Sequence, residues 1–161
     1  MRLYGKTILM IVGNGVDQGE FGQLKEGLES EQAMVLVTSP DHYLTVESVH
    51  NGKRGQDIII DIPFESLDQF YFDGLIIPSG LLSSETLAKD VRVLEIIAGF
   101  HKKRLPIFAS GDAVKLLYDC QVLFDRVVVR EGTPLDIFLD KAVEVLTDSL
   151  AFNQKYRPSM S

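Results

Sequence analysis

Apolar residues along this chain fall into short unbroken runs, and the segments between those runs carry helical spacing. Thr7-Ile8-Leu9-Met10-Ile11-Val12 is the first run and ends at Gly13-Asn14-Gly15. Met34-Val35-Leu36-Val37-Thr38 is stopped by Ser39-Pro40. Phe72-Asp73-Gly74-Leu75-Ile76-Ile77 closes at Pro78-Ser79-Gly80, and two further runs are Leu105-Pro106-Ile107-Phe108-Ala109 and Arg126-Val127-Val128-Val129-Arg130. Runs this short, apolar at consecutive positions, suit strands covered on both faces. Residues 17–30 place Phe21, Leu24 and Leu28 on one helical face, and residues 90–103 carry Val91, Leu94, Ile97, Ala98 and His101 at helical spacing. Residues 135–150 repeat the pattern through Leu135, Phe138, Ala142, Val143, Leu146 and Leu150, after a Thr133-Pro134 helix start. Residues 43–49 alternate loosely, Asn51-Gly52 is a hairpin turn signal, and residues 58–62 are the expected return strand. Residues 65–70 read as a polar link, and residues 153–161 as a polar, frayed tail.

Strands alternating with helices predict a three-layer, doubly wound α/β fold, flavodoxin-like or Rossmann-like, with a mostly parallel sheet and helices on both faces. At 161 residues the expectation is one domain over 1–161. The stretch from Tyr71 to Leu117 organises the rest. Its second buried run breaks at Ser110-Gly111-Asp112 and passes directly into Ala113-Val114-Lys115-Leu116-Leu117. A strand that turns sharply into a helix presents its turn residue at the carboxyl end of the sheet, where ligands bind and where a nucleophile elbow sits.

Composition narrows the classes of partner. The formal net charge of -7 argues against nucleic acid, whose phosphates call for a positive footprint. No apolar run approaches the ~20 residues of a membrane span, so no membrane partner is expected. The N-terminus lacks the small-residue cleavage site of a signal peptide, and the lone Cys120 allows neither an internal disulfide nor a cysteine-built metal site. A cytoplasmic location follows as the expectation, with no metal and no cofactor. Gly13-Asn14-Gly15 does not match the G-x-G-x-x-G spacing, which leaves a nucleotide or flavin binder supported by fold analogy alone.

The ordered set of pieces resembles the ThiJ/PfpI family of the class I glutamine-amidotransferase-like superfamily. Residues 8–21 look like its opening strand and acidic turn, and Ser48-Val49-His50-Asn51-Gly52-Lys53 like its hairpin. Asp73-Gly74-Leu75-Ile76-Ile77-Pro78-Ser79-Gly80 is similar to its central strand, with Ser79 where the family has the first of two glycines. Arg92-Val93-Leu94 to Phe100-His101-Lys102-Lys103 looks like the following helix, and residues 106–117 like the strand and elbow that carry the family's cysteine. The elbow departs from the family pattern. Aligned on Pro106 and Leu116-Leu117, the cysteine position holds Gly111 and the following histidine position holds Asp112. The resemblance places the family's cysteine-bonded glutamate on Asp17. The chain is also short between the elbow helix and the last strand.

Cysteine catalysis needs a thiolate made reactive by a helix N-terminus and a base, and Gly111 offers no reacting atom. Cys120 reads as a small packed thiol about two helical turns further on. Ser110 would take the elbow if the strand were one residue shorter. It would then need a base from His42, His50 or His101, and otherwise it is a helix N-cap. Asp17 and Asp112, if close, could form an acid pair, or each could cap a helix. The resemblance also implies an oxyanion-type pocket at Gly80 and the N–H of Asp112, able to hold a small anion or carbonyl without catalysis. The expectation is therefore a pseudoenzyme of an intracellular-protease-like family. It would act as a small-ligand-binding or interaction domain and, as family members commonly do, as a homodimer or higher homo-oligomer paired near the first helix and the hairpin. The ligand residues would be Asp17, Ser79, Gly80, Gly111 and Asp112. The alternative is an active hydrolase (peptidase, amidase or aldehyde-processing enzyme) using Ser110 or the Asp17/Asp112 pair.

Overall fold

The computed structural model describes residues 2–40, 42–122, 126–148 and 155–160. The apolar runs become the strands of one sheet: β1 (Thr7–Ile11) and, further along the chain, the segments Met34–Thr38, Gly74–Ile77, Ile107–Ser110 and Val127–Arg130. Between β1 and the second of these lie β2 (Val16–Asp17) and α1 (Gln18–Ser30), so Met34–Thr38 is β3. β4 (Thr45–His50) and β5 (Lys53–Ile59) follow, then β6 (Gly74–Ile77), α2 (Leu81–Ala88), α3 (Val91–Lys102), β7 (Ile107–Ser110), α4 (Val114–Cys120), β8 (Val127–Arg130) and α5 (Leu135–Thr147).

The main sheet runs in the order β3-β1-β6-β7-β8, and every neighbouring pair in it is parallel. This is the flavodoxin-like winding, which reverses direction between β1 and β6 and opens a crevice at their carboxyl ends. The unbroken apolar runs are explained by strand parity. Ile8 and Met10 face one core with Leu24 and Leu28 of α1 and Phe138 and Leu146 of α5. Leu9 and Ile11 face the other, with Val93, Ile97 and Phe100 of α3 and Leu116 of α4. Each successive side chain goes to an opposite face, and both faces are covered, so neither parity can be polar.

The hairpin turns at Asn51-Gly52, both at positive φ (52° and 75°), as a tight two-residue turn requires. With β2 it forms a separate three-stranded sheet, because Val16 and Asp17 pair in parallel with Ser48 and Val49.

Several expectations are corrected. The return strand is Lys53–Ile59 rather than residues 58–62, since the turn brings the chain straight back into register. The link after it contains a 3-10 helix, Phe64–Gln69, that buries Phe64 and Leu67. The helix α2 has no counterpart in the sequence reading. Its eight residues hold two adjacent serines and bury only Ser83, Ser84 and Leu87, too few for an apolar stripe. On α3 the buried face is Val93, Ile96, Ile97 and Phe100, while Val91 is 64% exposed. The tail is docked rather than frayed over residues 155–160. Tyr156 exchanges backbone hydrogen bonds with Phe72 (2.8 and 2.9 Å), and its ring meets Phe100 edge-on at 4.9 Å. Leu150 and residues 153–154 of the expected helix end and tail lie outside the described residues. Among the described residues no helix is long and apolar enough to cross a membrane.

Candidate functional site

β7 ends at Ser110 in extended geometry (φ -123°), and Gly111 then turns at φ +56° into a 3-10 turn that feeds α4. Gly111 is therefore the apex of the elbow, at a left-handed angle that a residue with a Cβ adopts only at a cost of about 1–2 kcal/mol. A Cβ built there would lie 2.8 Å from Cβ of Ser79. Ser79 thus stands in the space that a side chain at the apex would need. Relative to the family pattern described above, the first position has gained a side chain (glycine to Ser79) and the second has lost one (cysteine to Gly111).

Ser79 is fixed from the other side by a carboxylate. Glu20, in the first turn of α1, is 7% exposed and accepts from the Ser79 backbone N–H (3.1 Å) and from the Ser79 hydroxyl (2.7 Å). Arg130, the last residue of β8, adds a charge contact, with Nη1 3.5 Å from Glu20 Oε2. A buried carboxylate is tolerable only when it is paired and hydrogen-bonded in this way. The same Nη1 donates to the Ser110 hydroxyl at 3.0 Å, and Arg130 Nε donates to the Thr133 carbonyl at 2.7 Å. Glu20, Ser79, Arg130 and Ser110 form one polar network beneath the elbow, drawn from α1, β8 and the ends of β6 and β7.

Glu20 and Arg130 were missed in the sequence. Glu20 lies in a helix whose apolar spacing (Phe21, Leu24, Leu28) makes a glutamate one position earlier look like solvent-facing surface. Its neighbour Leu24, four residues on, is fully buried, and that spacing was the available signal. The resemblance placed the family's glutamate on Asp17. In the fold Asp17 instead caps α1, its Oδ1 accepting from the Glu20 N–H at 2.9 Å, and the acid turned to the elbow is Glu20.

Ser110 is fully buried, and its hydroxyl makes no cap bond to the following turn. The residue bound to it is a guanidinium, a donor that cannot act as a base. His101 sits in the last turn of α3, just before β7 begins, and so lies at the amino end of that strand, opposite to the elbow at its carboxyl end. His50 is in the hairpin, 3.4 Å from Asn51 Nδ2. Cys120 is the final residue of α4, roughly 9 Å along that helix from Val114. Burial, and then the Asp119 carboxylate, push its thiol above the usual cysteine range.

The structure does bring Asp17 and Asp112 to a common cleft of about 470 Å³, together with Gly15, Ser79, Gly80 and Leu82. It sits at the crevice between β1 and β6. Gly80, at φ 145°, is forced to be glycine: a Cβ would lie 2.5 Å from the Gly15 carbonyl oxygen. Gly111 borders a second cleft, between α2 and α4. Among the described residues no group of three or more His, Cys, Asp or Glu side chains is placed to hold a metal ion.

Comparison with known proteins bears on the fold and the family of this chain. The chain is 23% identical over 133 residues to catalase HPII of Pseudomonas aeruginosa, covering 83% of this chain but 18% of that protein. A second catalase HPII, from Pseudomonas putida, is 27% identical over 84 residues, covering 52% of this chain and 11% of its own length. The chain therefore spans less than a fifth of these relatives. General stress protein 18 of Bacillus subtilis is 24% identical, with 91% of this chain and 87% of that protein covered. Among solved structures, Drosophila melanogaster DJ-1beta superposes with a TM-score of 0.71 at 16% identity, over 88% of each chain. Oxidized DJ-1 of Toxoplasma gondii gives 0.73 at 14% identity, over 93% of this chain and 92% of that one. The sequence profile of the DJ-1/PfpI family matches residues 6–130, from the first strand to the end of β8. This chain belongs to the DJ-1/PfpI family.

Proposed function

We propose that this DJ-1/PfpI-family protein binds a small ligand at the elbow cleft and carries out no cysteine-dependent chemistry there. The observation that carries the reading is the pair at the apex: Gly111 has no reacting atom, and Ser79, held by Glu20, fills the room a nucleophile would need. What remains is a crevice at the winding reversal of the sheet, lined by backbone from Gly15 and Gly80 and by the carboxylates of Asp17 and Asp112. Such crevices are the usual ligand site of this sheet type. The aligned stretch is under a fifth of a catalase, so no catalase activity is proposed.

One observation favours a second reading, hydrolysis by an acid pair: Asp17 and Asp112 line one cleft. Against the serine version stands the Arg130 donor on a fully buried Ser110. The test is hydrolysis of a fluorogenic peptide and of p-nitrophenyl acetate, and turnover of methylglyoxal, by wild type, Ser110→Ala and Asp17→Asn/Asp112→Asn. Equal background rates in all three support the binding reading. A wild-type rate abolished by either variant overturns it.

We further propose a homodimer formed through the hairpin. The end of the hairpin away from its Asn51-Gly52 turn carries Tyr43 (62% exposed), Leu44 (80%) and, paired with Thr45, Ile59 (71%). The support is that apolar patch and the pairing habit implied by the family resemblance.

A further inference from the structure

Residues 155–160 form a strap at the amino end of β6, the end of the sheet opposite the elbow and outside the stretch matched by the family profile. The strap fills an aromatic slot. Phe72, just before β6, and Phe100 of α3 are fully buried, with ring centroids 6.4 Å apart, and Tyr156 meets Phe100 edge-on at 4.9 Å. Gly99 makes the room. Glycine is disfavoured inside a helix, yet the three atoms nearest to a Cβ built there all belong to the Tyr156 ring. The residues on either side of the tyrosine are held as well. Lys155 Nζ lies 3.4 Å from Oδ2 of the nearly buried Asp73, and the Arg157 guanidinium stands 5.2 Å over the Tyr71 ring. Tyr156 itself exchanges two backbone hydrogen bonds with Phe72, of 2.8 and 2.9 Å, as an extended peptide does when it adds to a strand. No longer ladder supports them, since Phe72 and Tyr156 form an isolated bridge. Contacts of this extent open before the core of a fold does. The strap is also opposite in charge to the rest of the molecule. Residues 153–161 contain Lys155 and Arg157 and no acidic side chain, in a chain of net charge -7. The strap of one molecule is therefore attracted to the body of another.

We propose that this slot is a peptide-binding site for an extended Lys-Tyr-Arg segment, filled by the chain's own strap and, when that strap lets go, by the strap of a second copy. The exchange needs no new kind of contact, because the incoming segment is identical to the one it replaces. Aromatic fit, a backbone bridge and two cationic contacts select this segment over a merely apolar or merely basic one. The site does not depend on the elbow reading, because none of the residues lining the elbow cleft belongs to it. It shares no residue with the apolar patch of the hairpin either.

The test uses two full-length variants, each also carrying Ile59→Asp to silence the hairpin surface. Gly99→Ala closes the slot and leaves a free strap, whereas Tyr156→Ala leaves an empty slot. Fluorescence anisotropy of labelled Gly99→Ala protein should rise on adding Tyr156→Ala protein and stay flat on adding more Gly99→Ala protein. A synthetic peptide of residues 153–161 should compete, and the same peptide with Tyr156→Ala should be about tenfold weaker or worse. The chain with its own strap intact should bind the peptide about tenfold more weakly than the Tyr156→Ala chain, since its slot is occupied most of the time. Gly99→Ala added to Tyr156→Ala should leave the melting temperature unchanged or raise it, because alanine replaces glycine in a helix and no ring stands in its way. Should Gly99→Ala fail to fold, the peptide titrated into the Tyr156→Ala chain decides alone. Absence of binding by the folded Tyr156→Ala chain at about 100 µM overturns the proposal and leaves the strap a fixed part of the fold. So does peptide binding that survives loss of its tyrosine, because the slot is then not what holds it.

Discussion

Gly111 and Ser79 must be considered together, since the space of one is the freedom of the other. Gly111→Cys introduces a Cβ at φ +56° and 2.8 Å from Ser79, so it combines a left-handed strain with an overpacked contact. It should lose about 2–4 kcal/mol in denaturant melts. Adding Ser79→Gly removes the contact and should recover at least ~1 kcal/mol, although it takes the hydroxyl donor from Glu20. Additive losses in the double variant would show that the two positions do not compete for one space. The native thiol should be sluggish. Burial holds Cys120 above the usual cysteine range, so little thiolate forms at neutral pH. Alkylation by iodoacetamide at pH 7.5 should run slower than that of free glutathione, and a faster rate would contradict the packed position.

At the scale of elements, two contacts decide features that local pattern left undecided. Asp90 caps α3: its Oδ1 accepts from the Arg92 N–H at 2.9 Å, and Oδ2 accepts from Arg92 Nη2 at 2.7 Å. The Arg92 hydrogen bond leads the factors that hold the Asp90 carboxyl below the usual carboxylate range. A group with a depressed folded pKa stabilises the fold above its unfolded pKa and loses that contribution as pH falls through the folded one. Stability should therefore show an Asp90-dependent fall below the ordinary aspartate range that is absent in Asp90→Ala. That variant should cost about 1 kcal/mol at neutral pH, measured by urea unfolding. The tail is held by Tyr156 on Phe100 and by its bonds to Phe72. Tyr156→Phe should be nearly neutral, while Tyr156→Ala should cost about 2 kcal/mol for the half-buried ring. Gly99→Ala should act like the latter, because a Cβ there would enter the Tyr156 ring.

For the whole molecule, the open end of the β4-β5 hairpin carries the exposed apolar side chains Tyr43, Leu44 and Ile59, the surface of the proposed dimer. Analytical ultracentrifugation should give a dimer, and Ile59→Asp should shift it to monomer without changing the far-ultraviolet circular dichroism. A monomeric wild type across micromolar concentrations would remove the hairpin interface.

Much of this fold was legible in the sequence because parallel strands leave short apolar runs: β1, β6 and β7 are buried at every or nearly every position, and the edge strands β3 and β8 keep the run while exposing Met34 and Val129. The elbow was legible for the same reason, as a buried run that stops at Ser110-Gly111-Asp112. The short helix α2 was not, since a helix that buries two serines and one leucine has no apolar period. Neither was the docking of residues 155–160, whose contacts (Tyr156 with Phe72 and Phe100, Lys155 with Asp73, Arg157 over Tyr71) are each made to a residue far away in the sequence. The network of Glu20, Ser79, Arg130 and Ser110 joins residues 110 positions apart at its extremes (130 minus 20). A charged side chain reads as surface until the fold supplies its partner. Sequence by itself determined the layered sheet and the place of its elbow, because burial on two faces is a local property, but left Ser110 and Gly111 as rival residues for the apex, which the turn at Gly111 (φ +56°) decided. Tertiary structure alone decided which carboxylate faces the elbow, what fills the apex and where the clefts open, because those depend on which distant side chains the winding brings within hydrogen-bond reach.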